Sequence, residues 1–239
     1  MSDIEKLQSM IDDSERIVFF GGAGVSTESG IKDFRSVDGL YNEKYDYPPE
    51  VMLSRSFFNE HKHEFYKFYK DKLNCLDIEP NVTHKYLKTL EERGKLSAIV
   101  TQNIDGLHEK AGNKNIYLLH GTIYKNHCMM CAKEYDASYV FNSKDIIPRC
   151  SCGGIIKPDV VLYEEGLDED TVNGAINAIS DADMLIIGGT SLVVYPAASF
   201  IRYFRGKYLV IINKDATSYD RNANLVIHEK LGSVFSKLK

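Results

Sequence analysis

Residues Gly21-Gly22-Ala23-Gly24-Val25-Ser26-Thr27-Glu28-Ser29-Gly30 follow directly on the apolar run Ile17-Val18-Phe19-Phe20. A glycine-rich turn between strand and helix lets phosphate oxygens approach backbone N–H groups at the positive helix end. The strict dinucleotide pattern asks for a small residue where Thr27 stands. By itself the loop therefore suits either a phosphate or a tight structural turn. Just beyond, in Ile31-Lys32-Asp33-Phe34-Arg35-Ser36, the arginine can clamp an anion and Phe34 can cover a flat ring. The same stretch also reads as a capped loop with one core aromatic.

A second polar cluster, Thr101-Gln102-Asn103-Ile104-Asp105, follows the apolar Ala98-Ile99-Val100. Loops after strand C-terminal ends line the ligand crevice of an open α/β sheet. This one carries more polar side chains than an Asn/Asp turn needs. His120 closes a further run, Ile116-Tyr117-Leu118-Leu119. In that company it is a candidate general base. His84, His108, His127 and His228 lack such company and read as core or surface residues.

The third cluster is Cys128-Met129-Met130-Cys131, then Cys150-Ser151-Cys152. The first pair has the spacing of a tetrahedral zinc site, and four thiolates leave no open position, so the implied ion, Zn2+, is structural. Cys75 stands apart and reads as a small core residue.

These clusters need a scaffold. Six short apolar runs, at 17–20, 98–100, 116–119, 184–187, 208–212 and 225–227, suit strands buried on both faces. Helix-like stretches separate them, such as Thr83 to Arg93 with Gly94 as a stop. That alternation predicts an α/β fold with a Rossmann-like, doubly wound parallel sheet. Two segments break it: about 36–81, rich in aromatics and lysine, and about 121–157, which holds the clustered cysteines. We expect them to form a smaller lobe, a helical insertion plus a zinc-binding module, beside a large lobe of about 1–35, 82–120 and 158–239. The stripe Phe65-Tyr66-Lys67-Phe68-Tyr69 reads as a packed helix face.

Composition narrows the partners. Hydrophobic residues make up 44% of the 239, and charged residues 26%, the balance of a soluble globular protein. With 29 basic against 34 acidic residues the net charge is −5, which argues against nucleic acid as the main partner. Met184 to Ile201 is long and apolar, but its Gly188-Gly189-Thr190-Ser191 and Pro196 suit a strand, a turn and a helix start better than a membrane span. The polar N-terminus lacks the apolar run of a signal peptide, and clustered cysteines suit a reducing compartment, so the expected location is cytoplasmic.

Taken in order, Gly22-Ala23-Gly24-Val25-Ser26 through Phe34-Arg35, Gln102-Asn103-Ile104-Asp105, His120-Gly121, the cysteine module, Gly189-Thr190-Ser191 and Asn213 resemble the sirtuin family over roughly residues 8–235. The resemblance implies an NAD-dependent protein-lysine deacylase that yields nicotinamide, free lysine and O-acyl-ADP-ribose. On that reading the NAD phosphates lie near Ala23, Gly24, Thr190 and Ser191, with Thr27 in the same loop. Asn213 holds the adenosine ribose and Leu231 borders the adenine. Phe34, Ile104 and Asp105 form the nicotinamide pocket, while Arg35 and Gln102 position the pyrophosphate and the reacting ribose. His120 takes a proton from a ribose hydroxyl, and Asn103 orients that hydroxyl or a water.

Relatives usually carry C-x-x-C in the second half of the zinc module, where this chain has the shorter Cys150-Ser151-Cys152. The acetylated protein or peptide is expected to bind as an added strand against Val160 and Leu162, which share a face. Relatives that remove acidic acyl groups carry a Tyr-x-x-Arg pair; here Tyr66-Lys67-Phe68-Tyr69 has tyrosine in the arginine position, which favours acetyl or another neutral acyl group. ADP-ribosyl transfer or NAD hydrolysis on the same fold is the rival activity, and a non-catalytic NAD and acetyl-lysine sensing module is the rival class. A monomer is the expected state.

Overall fold

The computed structural model describes residues 1–33, 39–40 and 47–239. Helix α1 (Asp3–Asp12) opens on a capping box: Ser2 Oγ accepts from the Glu5 amide, and the Glu5 carboxylate accepts from Ser2 N–H. Strand β1 (Ile17–Gly21) follows, buried throughout. Three helices come next, α2 (Pro49–Met52), α3 (Arg55–Glu60) and α4 (Lys62–Lys72). Helix α5 (Val82–Glu92) is capped by Asn81 and ends before Gly94, whose φ of 73° suits glycine.

The chain continues through β2 (Leu96–Thr101), α6 (Leu107–Lys110), β3 (Ile116–Leu118), β4 (Gly121–Cys128), β5 (Glu134–Asp136), α7 (Ala137–Phe141) and β6 (Ile156–Val160). It closes with α8 (Glu169–Asp181), β7 (Met184–Gly188), β8 (Tyr208–Ile212), β9 (Leu225–Ile227) and α9 (Leu231–Phe235). Between β7 and β8 the chain turns through a short 3-10 helix, Ala197–Tyr203.

Six strands form one parallel sheet in the order β3-β2-β1-β7-β8-β9. All six apolar runs of the sequence are therefore strands of this sheet. Its faces alternate residue by residue. Ile17 and Phe19 pack with Leu7, Leu87 and Val234 on one side, and Val18 and Phe20 pack with Ala175, Ile179 and Phe200 on the other. The expected doubly wound architecture is what the chain adopts.

A second apolar cluster joins the helical segment to the cysteine-bearing segment. Strands β5-β4-β6 form a small antiparallel sheet, and Ile123 and Ile156 from it pack against Phe58, Phe65, Tyr66 and Tyr69. Tyr69 stacks between Phe65 and Phe141, with ring centroids 5.8 Å and 5.2 Å away. Tyr66 Oη donates to the Ile156 carbonyl at 2.6 Å, which pins α4 to β6. The aromatic stripe is thus core, as its helical spacing implies.

Candidate active site

Sheet order decides where chemistry can occur. The chain winds outward in opposite directions from β1, which pairs with both β2 and β7, so the crevice opens at their C-terminal ends. Register aligns Gly21 with Thr101 on one side and with Gly188 on the other. The loops at 22–30, 102–106 and 189–191 therefore leave the sheet side by side. They wall a cavity of about 890 Å³ between the sheet and the smaller sheet's segment.

The glycine loop forms two 3-10 turns, Ala23–Val25 and Thr27–Ser29. Gly24 N–H donates to Gly189 O at 2.8 Å, and a methyl at Gly24 would sit 2.8 Å from Gly189 Cα. Gly189 has φ 59°, and a methyl there would meet Val25 N at 2.5 Å. The contact between these two loops is possible only between glycines. Asn81 Nδ2 ties the loop to α5, donating to Val25 O and to Ser29 Oγ. Thr27 Oγ1 donates to Gly24 O at 3.0 Å. The Glu28 carboxylate accepts from Gly232 N–H at 2.7 Å and holds the start of α9, including Leu231, at the edge of the crevice.

The loop after β2 builds a directed relay. Asn103 Nδ2 donates to Ser26 Oγ at 3.1 Å, and Ser26 Oγ donates to Asp105 Oδ2 at 2.6 Å. Asp105 Oδ1 accepts from the Leu107 amide at 2.9 Å. Asp105 is only 6% exposed. Burial pushes its carboxyl above the ordinary carboxylate range, and the donors from Ser26, Leu107 and Asn103 oppose that rise. Gln102 Nε2 donates to Thr190 Oγ1 at 3.2 Å, bridging two of the loops. Ile104 packs against the smaller core.

His120 enters from the end of β3. Its Nδ1 lies 2.9 Å from the Gln102 carbonyl oxygen. A carbonyl can only accept, so Nδ1 carries the proton and Nε2 keeps its lone pair. Burial lowers the imidazole pKa, with the Gln102 bond opposing, so the ring is neutral at pH 7. A neutral ring with one fixed tautomer is a ready proton acceptor.

Val160 and Leu162 are buried along the opposite wall. Their segment is held from several directions. Val161 N–H donates to His120 O, Tyr163 N–H to Leu53 O and Arg55 N–H to Tyr163 O. Glu165 accepts from the Leu162 amide at 2.9 Å and faces Lys157 Nζ at 3.5 Å. At the far end, Asn213 follows β8 and its Nδ2 donates to Asp215 O at 2.7 Å.

Ala23, Gly24, Thr27, Gln102, Asn103, Ile104, Asp105, His120, Val160, Leu162, Thr190, Ser191, Asn213 and Leu231 all line this one cavity. Phe34 and Arg35 lie outside the described residues. The sequence names Ser26 and Glu28 in the glycine loop but gives them and Glu165 no role of their own, since the partners of Ser26 and Glu28 are far away in the chain. From the sequence Cys75 reads as core. Cys75 is buried and packs in the smaller core, yet it touches the cavity and its Sγ lies 3.6 Å from Asp105 O. Burial pushes its thiol up to about 12, so it stays protonated.

The four clustered cysteines meet as a set. Their sulfurs all lie within 4.8 Å of one another. Cys128–Cys152, Cys131–Cys152 and Cys131–Cys150 are separated by 3.5, 3.5 and 3.6 Å. A zinc ion with four Zn–S bonds of the usual length spaces its sulfurs about 3.8 Å apart, so the donors fit. The short Cys150-Ser151-Cys152 spacing does not prevent convergence. Tyr66 and Tyr69, by contrast, face the small core and do not line the cavity. No helix among the described residues is long and apolar enough to cross a membrane.

The sequence pattern of the Sir2 family matches residues 22–196. An NAD-dependent protein deacetylase of Clostridium acetobutylicum is 57% identical over 237 residues, which is 98% of this chain and 97% of the relative. One of Clostridium perfringens is 57% identical over 239 residues, 98% of each. Among solved structures, Sir2 with a deacetylated p53 peptide and 3'-O-acetyl ADP ribose superposes with a TM-score of 0.89 at 35% identity, over 98% of this chain and 96% of that one. Sir2 bound to acetylated peptide superposes with a TM-score of 0.86 at 34% identity, over 99% and 97%.

Proposed function

The chain belongs to the Sir2 family, and on that premise we propose that it is an NAD-dependent protein-lysine deacetylase in which His120 is the general base. The observation that carries the assignment is the fixed tautomer of His120. His120, with its lone pair left on Nε2, lines the cavity that the buried Asn103–Ser26–Asp105 relay also borders.

NAD, as co-substrate, supplies a ribose carbon that becomes electrophilic as nicotinamide leaves. The chain's own residues do the rest. Asp105, whose carboxylate form Ser26 and Leu107 favour against the effect of burial, presents acceptor oxygens for a carboxamide. Ala23, Gly24, Thr190 and Ser191 border the phosphates, and Asn213 and Leu231 border the adenosine. Enclosure by both walls excludes water, which keeps an activated sugar from premature hydrolysis. His120 Nε2 then accepts a proton from a ribose hydroxyl that Asn103 orients.

The acetylated substrate is read as a strand added beside Val160 and Leu162, whose apolar side chains accommodate a neutral acyl group. The zinc module supports the shape of this wall, because four thiolates close the coordination sphere and leave no position for catalysis. Free, converging thiols suit a reducing compartment, which supports a cytoplasmic location.

The test incubates the protein with an acetyl-lysine peptide and NAD and follows both products by mass spectrometry. Peptide-dependent release of nicotinamide with O-acetyl-ADP-ribose is expected. Release that ignores the peptide points instead to NAD hydrolysis or ADP-ribosyl transfer, and binding without turnover points to a sensing module.

A further inference from the structure

Behind the Asp105 loop, between α5 and α6, lies a polar cluster that the chemistry above does not use. Thr83, His84, His108 and Asn113 are between 0% and 5% exposed. The His84 and His108 rings lie 4.7 Å apart at 61°. Asn113 Nδ2 donates to both His84 O and His108 O, at 3.3 and 3.2 Å, so these three residues belong to one knot, and Thr83 precedes His84 on α5. Yet Thr83 Oγ1, His84 Nε2, both ring nitrogens of His108 and Asn113 Oδ1 have no hydrogen-bond partner within the protein. Native interiors rarely leave such atoms unsatisfied, and five together point to an occupant.

The chemistry of the atoms selects it. His84 Nδ1 accepts from Asn81 N–H at 3.3 Å, so Nε2 carries the proton and is a donor. A metal cation is therefore repelled at that nitrogen. His108 is neutral, because burial among apolar groups and beside His84 holds its pKa well below the ordinary value. It offers one donor and one acceptor. Asn113 Oδ1 only accepts, which disfavours an anion. Donors and acceptors in near-equal number match water, which supplies both.

We propose that Thr83, His84, His108 and Asn113 enclose a buried water site that positions the Asp105 loop. The link is short. His108 sits on the single turn of α6, and the first residue of that turn, Leu107, donates its amide to Asp105 Oδ1. Gly106 between them takes φ 69° and would clash with Tyr124 if it bore a methyl, so the path has little slack. Fixing the His108 ring fixes α6 and with it the carboxylate. His108 is thus a positioning residue rather than a catalytic one.

The positioning half rests on the deacetylase reading, whereas the water half does not. A high-resolution crystal structure of the full chain without NAD is expected to show ordered water density within hydrogen-bond distance of a His108 ring nitrogen and Asn113 Oδ1. A direct His84–His108 hydrogen bond with no water between, or a metal peak, overturns the site. Thr83→Val, which keeps shape and removes one hydroxyl, is expected to lose or shift a water while folding normally; unchanged density refutes the role of Thr83. For positioning, His108→Leu is expected to raise KM for NAD and the inhibition constant of nicotinamide by about tenfold, as displacement of a binding group does, with KM for acetyl peptide unchanged. Where His108→Leu does not fold, His108→Gln serves as the second variant. A lowered melting temperature with unchanged constants overturns positioning and leaves only a packing role.

Discussion

Replacing Ser26 by alanine removes the hydroxyl at the centre of the site. The hydroxyl donates at 2.6 Å to Asp105 Oδ2 and accepts at 3.1 Å from Asn103 Nδ2. Both Ser26 and Asp105 are buried, so water does not replace the lost donor. A hydrogen bond to a charged group is worth about 1.5–3 kcal/mol, which corresponds to roughly one to two pKa units. Burial already raises Asp105, and Ser26 holds it down. Removing the hydroxyl therefore moves the pKa further up, and a larger fraction of the carboxyl is protonated at neutral pH.

If the carboxylate form binds the carboxamide, kcat/KM for NAD falls by up to about 10- to 150-fold at pH values below the shifted pKa, and by less above it. The acid limb of its pH profile moves to higher pH. The assay is nicotinamide release at saturating acetyl peptide across pH 5 to 9, in wild type, Ser26→Ala, Asp105→Asn and the double variant. In the Asp105→Asn background the serine substitution should cost much less, because the charge it supported is gone. The reasoning is refuted if Ser26→Ala stays within about twofold of wild type with the same acid limb. An equal loss in both backgrounds refutes it as well.

Four further outcomes follow from the same geometry. His120→Asn should lower kcat by about 10²–10⁴-fold, and since burial holds its pKa down, wild-type activity should fall only below about pH 6.5; an acid limb above neutrality in the pH–rate profile contradicts this. His84 has its pKa lowered to about 4, so the folded state binds fewer protons than the unfolded chain. Its stability contribution is complete above the unfolded value near 6.5 and is lost as pH falls toward 4, by about 3 kcal/mol, measurable as the urea midpoint against pH. Zinc content should be close to one per chain, and removal by a chelator or by Cys152→Ser should lower the melting temperature, read by calorimetry with metal analysis. Glu165→Ala removes the acceptor for Leu162 N–H, so KM for acetyl peptide should rise a few-fold while KM for NAD stays put, as steady-state kinetics with each substrate varied will show.

Much of the scaffold is local information. Ile17-Val18-Phe19-Phe20 or Met184-Leu185-Ile186-Ile187 can only be satisfied by burial on both faces, so a covered parallel sheet is written into each run. Gly24, Gly94 and Gly189 mark turns because only they tolerate the backbone or the contact required there. The four cysteines point to a metal site by type and clustering, and His120 stands out only through the company of the polar loops that follow neighbouring apolar runs.

The sequence is silent on what crosses between elements. Ser26 meets Asp105 only because β1 and β2 are neighbours in register, with Gly21 beside Thr101. Glu28 meets Gly232, and Asn81 meets Val25, through the same stacking of distant segments. The basic nitrogen of His120 is chosen by the Gln102 carbonyl, a backbone atom that no side-chain pattern records. Periodicity fixes which face of an element is buried, since that depends on neighbours three or four residues away. The partner across the gap depends on strand order and register, which the whole chain settles together, and that is where the acidity of Asp105 and the basicity of His120 are set.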